Sequence, residues 1–147
     1  MLTQLGSKTA IPATPEDAVL EKIPLKMKEI RESVVRFSCP EFTSLCPVTG
    51  QPDFAQFYID YVPNQYLLES KSLKLFMSSF RNHGAFHEEC TALIGSRFCS
   101  AVEPTWVRVT GIWFPRGGIP IDIFWQRGDF PRNLSIPPLK LFPYTGR

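Results

Sequence analysis

The chain has 147 residues, 44% of them hydrophobic, and its 16 basic and 14 acidic side chains leave a net charge of +2. That length and apolar share suffice for one domain that buries a core without disulfides or metals, and so mild a charge argues against a duplex-binding surface. The four cysteines follow an N-terminus without the basic segment and apolar run of a secretory signal, so they read as reduced thiols of a cytoplasmic protein; no apolar stretch reaches the ~18 to 20 residues that span a bilayer.

Residues 1–30, with Pro12, Pro15 and Pro24 among small and charged residues, read as an N-terminal extension holding a short helix around Pro15 to Lys22. Phe54 to Val62 and Tyr66 to Glu69 are apolar and aromatic runs joined by Pro63-Asn64-Gln65, which predicts a hairpin. Leu73, Phe76, Met77 and Phe80 recur at helical spacing, and after Asn82-His83-Gly84 so do Phe86, Cys90, Leu93, Ile94 and Phe98; two helices follow the hairpin. Trp106 to Phe114 then alternates, Pro115-Arg116-Gly117-Gly118 turns the chain, and Ile119 to Gln126 alternates again, a second hairpin. This order predicts an α+β domain over residues 31–130, an antiparallel sheet with its helices on one face. Its edge strands, read as free of proline and bulges, invite pairing with further copies and closure into a ring. Pro131, Pro137, Pro138 and Pro143 forbid a regular helix or central strand over residues 131–147, which read as a tail draped over a surface.

Three clusters carry candidate chemistry. The first is Cys46 in Thr43-Ser44-Leu45-Cys46-Pro47-Val48-Thr49-Gly50-Gln51-Pro52-Asp53. Such a turn-rich setting predicts a partly exposed thiol that its neighbours can ionise. A thiolate attacks an electron-poor carbon, and a protonated Asp53 can donate to the heteroatom where charge develops; the plainer reading is a loop thiol beside a turn aspartate. The second is Glu69 to Asn82, where Lys71 and Lys74 lie three apart near a helix N-terminus and suggest a phosphate grip, with Arg116 in its glycine-flanked turn as a third cation. A solvated basic face with an N-cap serine fits equally. The third is His83-Gly84-Ala85-Phe86-His87-Glu88-Glu89-Cys90. Glu88 can accept two parallel hydrogen bonds from the N–H/NH₂ edge of a guanine-like base, with His87 at a reacting nitrogen. Alternatively His83, His87 and Cys90, at i, i+4 and i+7, form a metal face if Cys46 approaches, although no second close ligand pair is present. Glu88 and Glu89 also suit an ordinary acidic first turn.

Together the Thr-Ser-Leu-Cys-Pro segment with Asp53, the Glu-Ser-Lys-Ser-Leu-Lys and Ser-Phe-Arg-Asn stretches, and His87-Glu88 resemble the nitrile-reducing 7-cyano-7-deazaguanine reductases, the QueF family, over roughly Ser38 to Trp125. The resemblance is to the short, single-unit form. It implies a tunnelling fold, in which ββααββ units pair edge to edge into a homo-oligomeric ring and two rings stack. It also implies NADPH-dependent reduction of a nitrile to an amine on the pathway to the tRNA base queuosine. On that resemblance the Cys46 thiolate adds to the nitrile carbon as a covalent thioimide and Asp53 protonates the nitrogen. Glu88, with the backbone around Leu68, Glu69 and Ser70, holds the base, and His87 lines the reacting nitrogen. Lys71, Lys74 and Arg116 face NADPH phosphates, and two NADPH are consumed per substrate. No metal, flavin, membrane or direct nucleic-acid contact is expected. A cofactor held by cations in a ring cleft explains why no Gly-rich dinucleotide fingerprint is present. For Asp53 to donate near neutral pH, burial or nearby negative charge must keep it protonated. The competing readings are a zinc-dependent cyclohydrolase of the same fold, ligated by His87, Cys90 and Cys46, and a ring module that binds a nucleobase or RNA. Cys90 is either a core thiol or a partner for Cys46 in a reversible disulfide.

Overall fold

The alternating runs of the sequence become strands because alternate side chains can then face one apolar layer. The computed structural model describes residues 2–4, 6 and 8–139. Its elements are β1 (Lys22–Pro24), β2 (Val35–Leu45), β3 (Pro52–Val62), β4 (Tyr66–Leu68), α1 (Ser70–Ser78), α2 (His87–Val102), β5 (Trp106–Arg116) and β6 (Ile119–Gly128). Short 3₁₀ turns occupy Lys28–Glu32 and Ser79–Asn82. A four-stranded antiparallel sheet runs in the order β2-β3-β5-β6, and a two-stranded sheet pairs β1 with β4.

Both helices and the β5–β6 hairpin lie where periodicity put them, but the first hairpin does not. β3 pairs with β2, and the chain turns between them at Cys46–Gln51 rather than at Pro63-Asn64-Gln65. The three-residue β4 swings away to pair with β1, with Lys22 opposite Leu68. Strand β2 escaped notice because it is half-exposed and carries Pro40, so its alternation is weak. The expected helix around Pro15 to Lys22 is a single turn, closed by Ala18 N–H on the Pro15 carbonyl at 3.3 Å, after which the chain extends. Nor is the β2 edge free of interruptions: register shifts between Cys39 and Phe42, around Pro40, and the other edge strand, β6, holds Pro120.

One face of the sheet packs on the helices. Phe57, Ile59 and Tyr61 of β3 and Val107, Val109 and Trp113 of β5 are at most 1% exposed and meet Phe76, Phe80 and Phe98. Phe42 stands at the centre of an aromatic group, 4.6 Å from the Phe57 ring and 5.6 Å from Trp113 in edge geometry, which adds a directional attraction to the buried area. On the opposite face Arg36, Asp60 and Arg108 are neighbours across three strands. The buried Asp60 accepts from Arg36 Nε at 2.6 Å and from Arg108 Nη2 at 3.1 Å. Two cations on one carboxylate leave donors over, and Arg36 spends them on the carbonyls of Pro137 and Pro138 at 2.6 and 2.8 Å. Pro137 and Pro138 thus lie on this face, and Phe130 stands edge-on to Trp106; Pro143 and the rest of 140–147 fall outside the described residues.

Candidate active site

The β2–β3 turn is built to present Cys46. Cys46 N–H donates to the Gln51 carbonyl at 2.8 Å and Gly50 N–H returns to the Cys46 carbonyl at 2.9 Å. Gly50 has φ +69°, a left-handed conformation that glycine adopts without a Cβ penalty, and this closes the loop. Just before the turn, Leu45 N–H donates to the His83 carbonyl at 3.0 Å and Ala85 N–H to the Leu45 carbonyl at 3.2 Å. The segment leading into α2 is therefore pinned beside Cys46, which brings the first turn of α2, His87 and Glu88, to the same end of the sheet.

The thiol is not partly exposed as expected. Cys46 is 4% exposed, in a turn that carries Val48 at 78% exposure. Its polar neighbours ionise the thiol where burial alone would suppress it. Hydrogen bonds from the Thr49 hydroxyl first, then from the N–H groups of Thr49 and Val48, pull its pKa down to about 6 against the opposing effect of burial, and Arg116 adds a further donor. Cys46 is accordingly a thiolate at neutral pH.

Asp53 lies opposite Ser44 in the β2–β3 register and is 5% exposed. Its Oδ1 sits 3.3 Å from Arg116 Nε, and its Oδ2 lies 3.3 Å from His87 Nε2. The second approach is off line: among the described residues both Asp53 Oδ2 and His87 Nε2 lack a hydrogen-bond partner. Buried polar atoms left unpaired are costly, so this pair is poised for a third group. The His87 ring is held in place by stacking on Trp113 at 4.0 Å and 9°; Trp113 Nε1 donates to Thr91 Oγ1 at 3.3 Å, and that hydroxyl donates to the His87 carbonyl at 2.9 Å.

A family model described as QueF-like protein matches residues 52–131. Over 146 residues the chain is 60% identical to the NADPH-dependent 7-cyano-7-deazaguanine reductase of Chelativorans sp. (strain BNC1), an alignment covering 99% of this chain and 95% of that protein. The chain belongs to the QueF family. It is also 57% identical to the protein of the same name from Parvibaculum lavamentivorans, covering 99% of this chain and 94% of that one. A solved structure of similar fold is the archaeosine synthase QueF-Like in its apo form, with a TM-score of 0.61 and 26% identity over 67% of this chain and 97% of that one.

Of the residues that the QueF resemblance singles out, the chain gathers Cys46, Asp53 and His87 at one end of the sheet, with Glu88 exposed on the first turn of α2. The neighbouring Glu89 is occupied structurally, its Oε2 accepting from Phe86 N–H at 3.1 Å. Arg116 joins this group rather than standing apart: its hydrogen bond to Cys46 and the nearby Asp53 carboxylate raise its own pKa. Leu68, Glu69 and Ser70 lie elsewhere. Leu68 N–H is 3.4 Å from the Tyr61 hydroxyl, and from Asp53 to Tyr61 β3 runs about 26 Å at ~3.3 Å per residue. Glu69, not a serine, caps α1, its carboxylate accepting from Lys71 N–H at 2.8 Å and Ser72 N–H at 2.7 Å.

The two lysines of α1 part company. Lys71 Nζ donates to the Gln4 carbonyl of the N-terminal segment, and Thr9 Oγ1 is 3.4 Å away. Lys74 is exposed and borders a cleft of about 440 Å³ between β2 and α1, together with Ser70 and Arg81. Cys90 is fully buried and its thiol is pushed up to about 11 by burial, which makes it a poor nucleophile. His83 precedes α2 and so shares no helical face with His87 and Cys90; among the described residues no group of three His, Cys, Asp or Glu side chains is placed to hold a metal. Sequence reasoning gave no role to Thr49 or Trp113. The Thr-Gly step three residues after the cysteine was the available signal for the first; nothing in a single sequence marks the second, because its contact with His87 is made across the fold.

Proposed function

We propose that the chain is an NADPH-dependent 7-cyano-7-deazaguanine reductase that works through a covalent intermediate on Cys46. The observation that carries this reading is a thiol ionised at neutral pH beside a buried carboxylate and imidazole with unpaired atoms. Cys46 Sγ forms a bond to the nitrile carbon while one π pair of the C≡N bond moves to nitrogen, which takes a proton from Asp53, giving a thioimide. His87 Nε2, 3.3 Å from Asp53 Oδ2, stands where it can hand a proton to Asp53 or hold the substrate nitrogen. NADPH, when bound, supplies the two hydrides that reduction of a nitrile to an amine requires. The donors that stabilise the Cys46 thiolate also make it a good leaving group, so the carbon–sulfur bond breaks readily once the thioimide carbon has been reduced.

Glu88 suits the donor edge of the deazaguanine, since a carboxylate accepts two parallel N–H bonds. The cleft bordered by Ser70, Lys74 and Arg81, with Phe42, Leu73 and Met77 as its apolar floor, suits a nucleotide whose phosphates meet the two cations. In one protomer, however, the Leu68–Ser70 segment and the Cys46 end lie at opposite ends of β3. A single pocket that uses both is completed where two copies meet, which supports a homo-oligomer built through the sheet edges β2 and β6. Such an enzyme serves the route to the queuosine base of tRNA.

The reading is tested by NADPH oxidation in the presence of 7-cyano-7-deazaguanine. Two equivalents consumed per nitrile, none with Cys46→Ala, and no loss of rate after exhaustive treatment with a chelator are expected. A chelator-sensitive rate restored by zinc would favour the cyclohydrolase-like alternative instead.

A further inference from the structure

Asp53 and His87 face each other at close range without bonding. Asp53 Oδ2 lies 3.3 Å from His87 Nε2, the two side chains are 4% and 5% exposed, and neither atom has a hydrogen-bond partner among the described residues. A bond between them would relieve two buried polar atoms at once, so something holds the pair open. On one side Arg116 Nε, 3.3 Å from Asp53 Oδ1, draws the carboxylate by its other oxygen. On the other, the His87 ring lies flat on Trp113, with centroids 4.0 Å apart and planes 9° from parallel. A stack that close blocks rotation of the imidazole, because turning it would drive a ring edge into the indole. We propose that Trp113 is a positioning residue for the reduction: its indole holds the His87 ring so that Nε2 faces Asp53 Oδ2 without closing on it, and both atoms stay free for the substrate nitrogen.

The indole is itself fixed. The rings of Phe42 and Phe57 each stand edge-on to it at 5.6 Å, and its Nε1 donates to Thr91 Oγ1 at 3.3 Å. The same hydroxyl donates to the His87 carbonyl at 2.9 Å, so the ring and the backbone of His87 are tied to one point on the helix-facing side of the sheet. Trp113 is 1% exposed and reaches the substrate only through His87. Its role rests on the reading of Asp53 and His87 as the groups that serve the nitrile nitrogen. A closed Asp53–His87 bond would have to break before that nitrogen could take its proton; a pair already held open spares the reaction that step.

The test is a double-mutant cycle between Trp113 and His87, read as the rate at which the chain gains the mass of 7-cyano-7-deazaguanine at saturating nitrile without NADPH. Trp113→Leu, apolar but without a flat face, should slow that rate about tenfold while the nitrile Kd changes less than about twofold. Trp113→Phe, which restores a ring face, should recover most of the loss. In a His87→Ala background Trp113→Leu should cost less than about twofold more, because the indole then has nothing to hold. Should Trp113→Leu fail to fold, Trp113→Met, which reaches further into the place of the indole, carries the same comparison in both backgrounds. A substitution that leaves the wild-type rate unchanged, or one that slows the His87→Ala chain as much as the wild type, overturns the proposal, the second outcome marking plain damage to the core. Either failure leaves wild-type adduct formation intact, whereas failure of the reductase reading would show as a wild type that forms no adduct.

Discussion

A thiol that ionises near pH 6 divides the pH scale for this enzyme. Cys46 has its pKa lowered, so the reactive thiolate is present above that value and is lost as the pH falls through it. Under conditions where thioimide formation limits the rate, kcat/KM is expected to drop about tenfold for each unit below pH 6 and to level off above it, measured by NADPH oxidation at subsaturating nitrile. A midpoint near 8 to 9 would mean that the loop donors do not act on the sulfur. Glu88 makes a second prediction at this scale: if it holds the base as proposed, Glu88→Ala should cost about 2 kcal/mol, or about thirtyfold in substrate Kd, for the loss of a charged acceptor. Cys46, Asp53 and His87 were singled out by the family resemblance, local composition alone favouring a plain loop thiol, and the fold brings Asp53 and His87 together at the Cys46 end of the sheet. The place of Arg116 was not legible in the sequence, since only the pairing of β5 with β3 carries it to the Cys46 and Asp53 pair.

Among the elements, the helices and the second hairpin were readable because their apolar periods of 3.6 and 2 are unbroken. β2 was not, because it is an edge strand with Pro40 at its irregularity, and its loss sent β3 to the wrong partner. The same segment that sequence reasoning took for chemistry alone, Cys46 to Gln51, is also the hairpin turn that sets the β2–β3 register. Packing between layers leaves one tight test. A Cβ added at Gly95 of α2 would lie 2.2 Å from Trp125 Cε3 in β6, on a rigid indole that cannot step aside without moving the strand. Gly95→Ala should therefore destabilise the fold by about 1 to 3 kcal/mol despite the better helix propensity of alanine. The midpoint of denaturant unfolding at unchanged slope measures it, and a stabilised variant would show that α2 and β6 are not packed this closely.

At the scale of the whole molecule, the Leu68–Ser70 segment and Cys46 stand at opposite ends of β3. If the Leu68–Ser70 end of one copy completes the Cys46 end of another, two inactive variants should complement each other. Cys46→Ala and Ser70→Phe, each inactive alone, are expected to regain activity when refolded together, because some interfaces then pair an intact Cys46 with an intact Ser70; a mixture that stays inactive would place the full site within one copy. The central claim is chemical, and intact mass tests it most directly. Incubated with 7-cyano-7-deazaguanine without NADPH, the wild-type chain should gain the mass of one nitrile molecule, the gain should be absent in Cys46→Ala, and NADPH should remove it. A wild type that never gains that mass, or a Cys46→Ala chain that does, would contradict the account.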